Sequence, residues 1–468
     1  MRLHLSAGTY FTCLLMFILL AFVFLFGSGN SNNSISELIV NHGIIANIFY
    51  FVLAFLPLAW LFTSEIWKEA FSIPQKILLV GLAVFISSMF YSVRYGINTG
   101  GFFFVSSFIF ALSQRRLYKP SKVFYWFWIY LAIHIVSLNW TNDLAGGLNK
   151  IRVYLPFFSV PFFFCFFRLT NKEIDQLLLL FFRSATIFIF LSLLCWIYES
   201  SRIGIPFSDW FIFHKKEFNN QPPFYFPFSW VGYNHPSYIS IGYNLALAVG
   251  IYLFDKRKGS CNINTFELLF FMFSALALTV IVQSRIGLVN FTLLVICGIG
   301  WLLRKERVYL YLYITTCLLL IALVAVNINI VLKYINDPIR EQQYHTAIAY
   351  IKSNFLFGTG IGGMTKIMTS QEFALKLGYP FAQVENIYPS NQFLGDLMQT
   401  GILGFLTLIG MISSLTFNCI KQRNWVSFSL IISFLLLMSI EMPFFLLKGS
   451  TLFVLMSCLV LQMQRSKT

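Results

Sequence analysis

The stretch PSNQFLGDLMQTGILG, Pro389 to Gly404, closes a long polar segment and opens a strongly apolar helix. Ser390 and Asn391 suit the cap of that helix, because short side-chain oxygens accept from the unbonded N–H groups of a first turn. On either side the chain repeats one pattern. Apolar runs of about 17 to 25 residues, long enough to cross a hydrocarbon layer of roughly 30 Å as helices, alternate with short polar turns.

Composition agrees with this reading. The 468 residues are 58% hydrophobic and only 11% charged, more apolar surface than a water-soluble fold can bury. The runs are continuous rather than alternating, which excludes a β-barrel. A spanning chain must satisfy its own backbone hydrogen bonds, so helices follow. The expected fold is an all-α polytopic membrane protein with about twelve to fourteen transmembrane helices and one large folded outer loop. The runs fall near 10–27, 44–63, 77–93, 98–113, 122–138, 152–168, 175–197, 237–254, 266–283, 286–303, 308–331, 398–418, 426–442 and 447–463. The first lacks a small-x-small cleavage site and reads as a retained helix rather than a signal peptide.

The net charge of +15 would suit nucleic acid, but its distribution does not. The basic residues sit in turns: Arg115, Arg116, Lys119 and Lys122; Lys256, Arg257 and Lys258; Arg304, Lys305 and Arg307; Lys421 and Arg423. Under the positive-inside rule these are cytoplasmic anchors, and no nucleic-acid partner is expected. Threading the runs places both termini in the cytoplasm. It places 28–43, 139–150, 198–236 and 332–397 outside, within a single membrane domain over 1–468. The eight cysteines form neither a disulfide pattern nor a metal motif, and neither a metal nor a cofactor is expected.

The outer segment 198–236 is rich in aromatics and proline and reads as interfacial. The segment 332–397 is too long to be an unstructured loop. Ile339, Gln343, Ala347, Ile348 and Ile351 predict an amphipathic helix over 338–353, with Asp337-Pro338 as its start. Arg285 separates two apolar runs with almost no loop. Such a guanidinium either anchors to lipid phosphates or binds an anionic ligand through its fixed donors. Gly358, Gly360 and Gly362 form a turn without the strand that a dinucleotide fingerprint requires. They serve either as a simple turn or as a nest of N–H groups for an anion. His235 stands before an outer helix start, and His345 lies in the loop helix. Imidazoles at such places are structural or act as general bases. Arg183 lies inside an apolar run and is expected to snorkel to the cytoplasmic side. No carboxylate is read near mid-membrane, the position that ion-coupled carriers use.

Asn391, nine intervening residues and Gly401-x-x-Gly404 resemble the signature of the O-antigen ligases and the related Wzy-type O-antigen polymerases. In that pattern a His precedes the Asn, and Ser390 takes its place here. Arg285 and the Arg340-led helix running into Phe357-Gly358-Thr359-Gly360-Ile361-Gly362 resemble two further motifs of the superfamily. The resemblance implies a metal-independent, inverting glycosyl transfer at the periplasmic face of a bacterial inner membrane. The donor would be undecaprenyl-diphosphate-linked oligosaccharide. The acceptor would be a lipid A core sugar or a second lipid-linked repeat, with membrane lipid around the protein. It implies diphosphate binding by Arg285 and Arg340, and acceptor positioning or activation by Ser390 and Asn391 with His345 or His235. The competing readings are a lipid-linked oligosaccharide flippase and an inactive glycan-binding relative.

Overall fold

The computed structural model describes residues 58–70, 72–90, 93–115, 117–202, 236–256, 263–282, 284–304, 314, 338–368, 370 and 388–465. The expected helices at 10–27 and 308–331, most of that at 44–63, and nearly all of the segment 198–236 lie outside these residues. Among the described residues every regular element is helical. In chain order they are α1 (Glu65–Glu69), α2 (Ile73–Ser88), α3 (Val93–Gln114), α4 (Lys122–Val136), α5 (Leu144–Tyr154), α6 (Pro156–Phe163), α7 (Asn171–Arg202), α8 (Pro236–Asp255), α9 (Thr265–Ile281), α10 (Arg285–Leu303), α11 (Pro338–Ser353), α12 (Gly363–Met368), α13 (Gln392–Gln422), α14 (Trp425–Ile440) and α15 (Leu447–Arg465). Short polar side chains start many of them. Ser72 accepts from the Gln75 N–H, Asp143 from Gly146, Asn264 from Glu267 and Asn424 from Val426.

Among the described residues four stretches are long and apolar enough to cross a membrane: Lys122–Trp140, Ser237–Asp255, Arg285–Leu303 and Gln392–Gln422. Shorter apolar helices accompany them. The exposed large side chains of α3 and α13, among them Phe104, Phe108, Leu112, Leu406, Phe417 and Ile420, suit a lipid surface.

The chain divides into two compact units, 1–116 with 169–288 and 117–168 with 289–468. In the first, small and hydroxylic residues let helices approach closely. A Cβ on Gly81 would lie 2.1 Å from Ser106 Oγ, and one on Gly287 2.5 Å from Ser240 Cβ. Ser88 and Thr99 share a hydrogen bond of 2.6 Å, and Tyr243 and Thr279 one of 2.8 Å. Arg183 Nε donates to Glu267 Oε1, in the first turn of α9, at 3.1 Å, and this carboxylate satisfies its charge.

The second unit departs from the sequence reading in one helix. The run expected to cross as 152–168 is divided into α5 and α6. Pro156 brings no N–H and opens α6 at its first position. Asn149, Lys150 and Arg152 make α5 amphipathic, and its 11 residues are too few to span. The loop helix predicted over 338–353 is present with those bounds as α11.

Candidate functional site

Ser390 turns the chain into α13. Its φ of 48° lies in the left-handed region, and its carbonyl accepts from Tyr344 Oη of α11 at 3.3 Å. Asn391 then caps α13: its Oδ1 accepts from Leu394 N at 3.0 Å, and its Nδ2 donates to Ser439 O at 2.9 Å. Arg340 reaches the same helix end. Nη1 donates to Ile440 O at 3.2 Å and Nη2 to Glu441 Oε1 at 2.9 Å. The last carbonyls of α14 lack helical partners and carry the negative end of its dipole. An amide and a guanidinium answer them. The end of α14 thus gathers Arg340, Ser390 and Asn391, three residues singled out in the sequence. The Arg340 side chain keeps 31% of its surface accessible, whereas Glu441 keeps 2%.

The glycine turn is built into the kink of α13. Gly401 interrupts that helix with φ 65° and ψ −160°. The break exposes the Met398 carbonyl and the Ile402 N–H. Thr359 N donates to the former at 2.8 Å, and Phe355 O accepts from the latter at 2.9 Å. Gly358, Gly360 and Gly362 all have positive φ. A Cβ on Gly358 would lie 2.6 Å from the Gln399 backbone, and one on Gly401 2.3 Å from Leu356 O. Gly360 packs on Thr141 and Gly362 on Asp143 and Gly147. The N–H groups of Gly358, Thr359, Ile361 and Gly363 are all bonded within the protein.

Gly404 lies one turn beyond the kink, against Thr400. His345 is exposed on the outer side of α11, with Glu341 Oε1 3.8 Å away. Arg285 belongs to the first unit, where it is the exposed first residue of α10. Asn244 there donates to Gly287 O at 3.0 Å and fixes the first turn. His235 lies outside the described residues.

Several polar residues around this site carried no signal that was read in the sequence. Glu441 ends an apolar run just before a proline, a place where a carboxylate needs a partner. Asp396 is wholly buried one turn past the cap. It accepts from Tyr130 Oη at 2.7 Å and Gln392 Nε2 at 2.9 Å, and His134 Nε2 lies 3.9 Å away. Gln392 Oε1 in turn accepts from Phe444 N at 3.0 Å. A carboxylate flanked by two glutamines in an apolar helix was the available signal.

Lys150 of α5 places its Nζ 3.3 Å from the centroid of the Phe445 ring. Phe445 packs against Tyr388 with ring centroids 5.3 Å apart. The two rings join Met442, Leu394, Ala347 and Ile351 in one apolar cluster beneath the cap.

No curated protein matches the chain. Residues 269–409 match the family model described as O-antigen ligase, a span that holds Arg285, Arg340, the glycine turn, Ser390, Asn391, Gly401 and Gly404. Residues 269–409 thus carry the likeness to the O-antigen ligase family, and the apolar helices long enough to cross a membrane suit a multi-pass membrane protein.

Proposed function

We propose that the protein transfers a glycan from undecaprenyl-diphosphate-linked oligosaccharide at the periplasmic face of a bacterial inner membrane, with both termini in the cytoplasm. The acceptor is a hydroxyl on a second lipid-linked repeat or on a lipid A core sugar. That oxygen bonds to the anomeric carbon from the face opposite the diphosphate. The bond from the anomeric carbon to the diphosphate oxygen breaks, and the configuration inverts. The charge that develops is on the leaving diphosphate, so fixed cations supply the main stabilisation without a metal.

The observation that supports this reading best is the Arg340 guanidinium, oriented by Glu441 and the end of α14 beside the Ser390-Asn391 cap. Arginine presents phosphate with a planar set of donors, and holding it in advance lowers the cost of binding. Arg285, which heads α10, is assigned a phosphate-binding role as well. Ser390 and Asn391 are assigned to positioning the acceptor sugar.

The surface-glycan profile of a deletion strain tests the proposal. Single-repeat products identify a polymerase, and full-length chains retained on the lipid carrier identify a ligase. Absence of any lipid-linked product at the outer face would overturn the transferase reading in favour of a flippase.

A further inference from the structure

Transfer to a sugar hydroxyl requires a group that takes its proton. Ser390 stands where the related sequences carry His, and its hydroxyl makes no hydrogen bond among the described residues that would make it basic. His134 is wholly buried and out of reach of a sugar, and His345 projects from the exposed side of α11.

Resting on the transferase reading above, we propose that Lys150 is the general base. Its neutral amine takes the proton of the acceptor hydroxyl as that oxygen bonds to the anomeric carbon. The electron pair of the breaking carbon–oxygen bond leaves with the diphosphate, and Lys150 is left as an ammonium.

Three observations carry this. First, α5 is fixed. Asp143 caps it through Gly146 N at 2.9 Å, Gly147 meets the glycine turn at Ile361, and Val153 O accepts from Ser450 Oγ at 2.7 Å. Second, Lys150 stands over Phe445, whose ring packs on Tyr388, two residues before Ser390. Phe445 also follows Glu441, the partner of Arg340, by four residues. The amine is therefore held beside the segments that carry the cap and the arginine. Third, the face of the Phe445 ring stabilises the ammonium that proton transfer leaves, and among the described residues no carboxylate pairs with Lys150. Burial pushes its amine down to about 8, so a working fraction is neutral near physiological pH.

The test is the transfer rate of the purified full-length protein from about pH 6 to 10, the range over which such an amine changes state. Wild type should gain about tenfold per pH unit up to roughly 8 and then level off. Lys150→Arg keeps the charge but cannot act as a base in this range. It should lose about 10²–10⁴ in rate and with it the rising limb. Added ethylamine should restore part of the rate to Lys150→Ala, which keeps the test decisive even where the Arg variant folds poorly. Loss of the rising limb in His345→Ala or His235→Ala, with the limb kept in Lys150→Arg, would assign the base to histidine and overturn the proposal. A Lys150→Arg protein within a few-fold of wild type and with the same limb would overturn the proposal and leave the transferase reading intact. Failure of wild type to transfer at any pH would overturn both.

Discussion

Arg340 of the loop helix α11 donates to Glu441, the residue that ends the apolar helix α14, across 2.9 Å. The pair is asymmetric, since Glu441 is almost fully buried while Arg340 opens to the surface. Removing the arginine alone takes a charged partner from a buried carboxylate, which costs up to about 3–5 kcal/mol. Arg340→Ala should therefore lower both the thermal midpoint and transfer. Arg340→Lys keeps the charge but loses the two-point grip. One charge-assisted bond of about 1.5–3 kcal/mol corresponds to a rate loss of roughly ten- to a hundredfold. The double variant Arg340→Met with Glu441→Met separates the roles. Thermal unfolding in detergent should return to near wild type while transfer stays lost.

Gly358 and Gly401 meet backbone to backbone, so neither can yield to a side chain. Alanine at either also faces a positive φ, and the strain together with the displaced bonds should cost about 3 kcal/mol or more. Gly404 is different. A methyl there meets the Thr400 Oγ1 and also its Cβ at 2.5 Å, which rotation does not move, so the helix must shift at the kink, offset in part by about 1 kcal/mol of helix propensity. Gly404→Ala should lower the unfolding midpoint but still fold, whereas Gly358→Ala and Gly401→Ala, which also face a positive φ, should fold in much lower yield.

Asn391→Ala removes a cap worth about 1 kcal/mol and leaves Ser439 O without its donor. Asn391→Asp keeps the cap but sets a carboxylate against the Ser439 carbonyl, so it should recover only part of that loss. Ser390→Gly relieves about 1–2 kcal/mol of left-handed strain but adds roughly 0.4–1 kcal/mol of unfolded-chain entropy, so it should stabilise by about 1 kcal/mol or less. Ser390→Ala should reduce transfer about tenfold or less, because a hydroxyl that positions sugar contributes less than a base. Unfolding curves and transfer rates of the four variants check this set together.

Cysteine labelling in spheroplasts checks orientation. Lys366 is exposed on α12, and a cysteine there should react with an impermeant thiol reagent. A cysteine at Lys305 should be protected, in keeping with its place in a basic turn. The reverse pattern would turn the proposed site to the wrong face.

Local chemistry made much of this architecture legible. The spacing of Ile339, Ala347 and Ile351 gave α11 with the bounds Pro338–Ser353, and Asn391 caps α13 as its side chain predicts. What stayed hidden depends on pairs far apart in the chain. Nothing near Arg340 points to Glu441, 101 residues on, and nothing near Gly358 points to the bend at Gly401. Asp396 was obscured because apolar periodicity averages over a single charge, and Arg183 was legible but its partner was not. Their partners Tyr130, Gln392 and Glu267 come into reach only when helices pack. The division of 152–168 was written in Pro156, whose effect the strong apolarity of its neighbours masked.

The central claim is that an arginine held by Glu441 drives departure of a lipid diphosphate. Its most direct test supplies purified protein with undecaprenyl-diphosphate-linked oligosaccharide and acceptor, and measures glycan transferred together with undecaprenyl diphosphate released. The account predicts equal amounts of both from wild type, and in Arg340→Lys a parallel loss of both that exceeds any loss of folded protein. Undiminished transfer by Arg340→Lys and by the Arg340→Met, Glu441→Met double variant would contradict it.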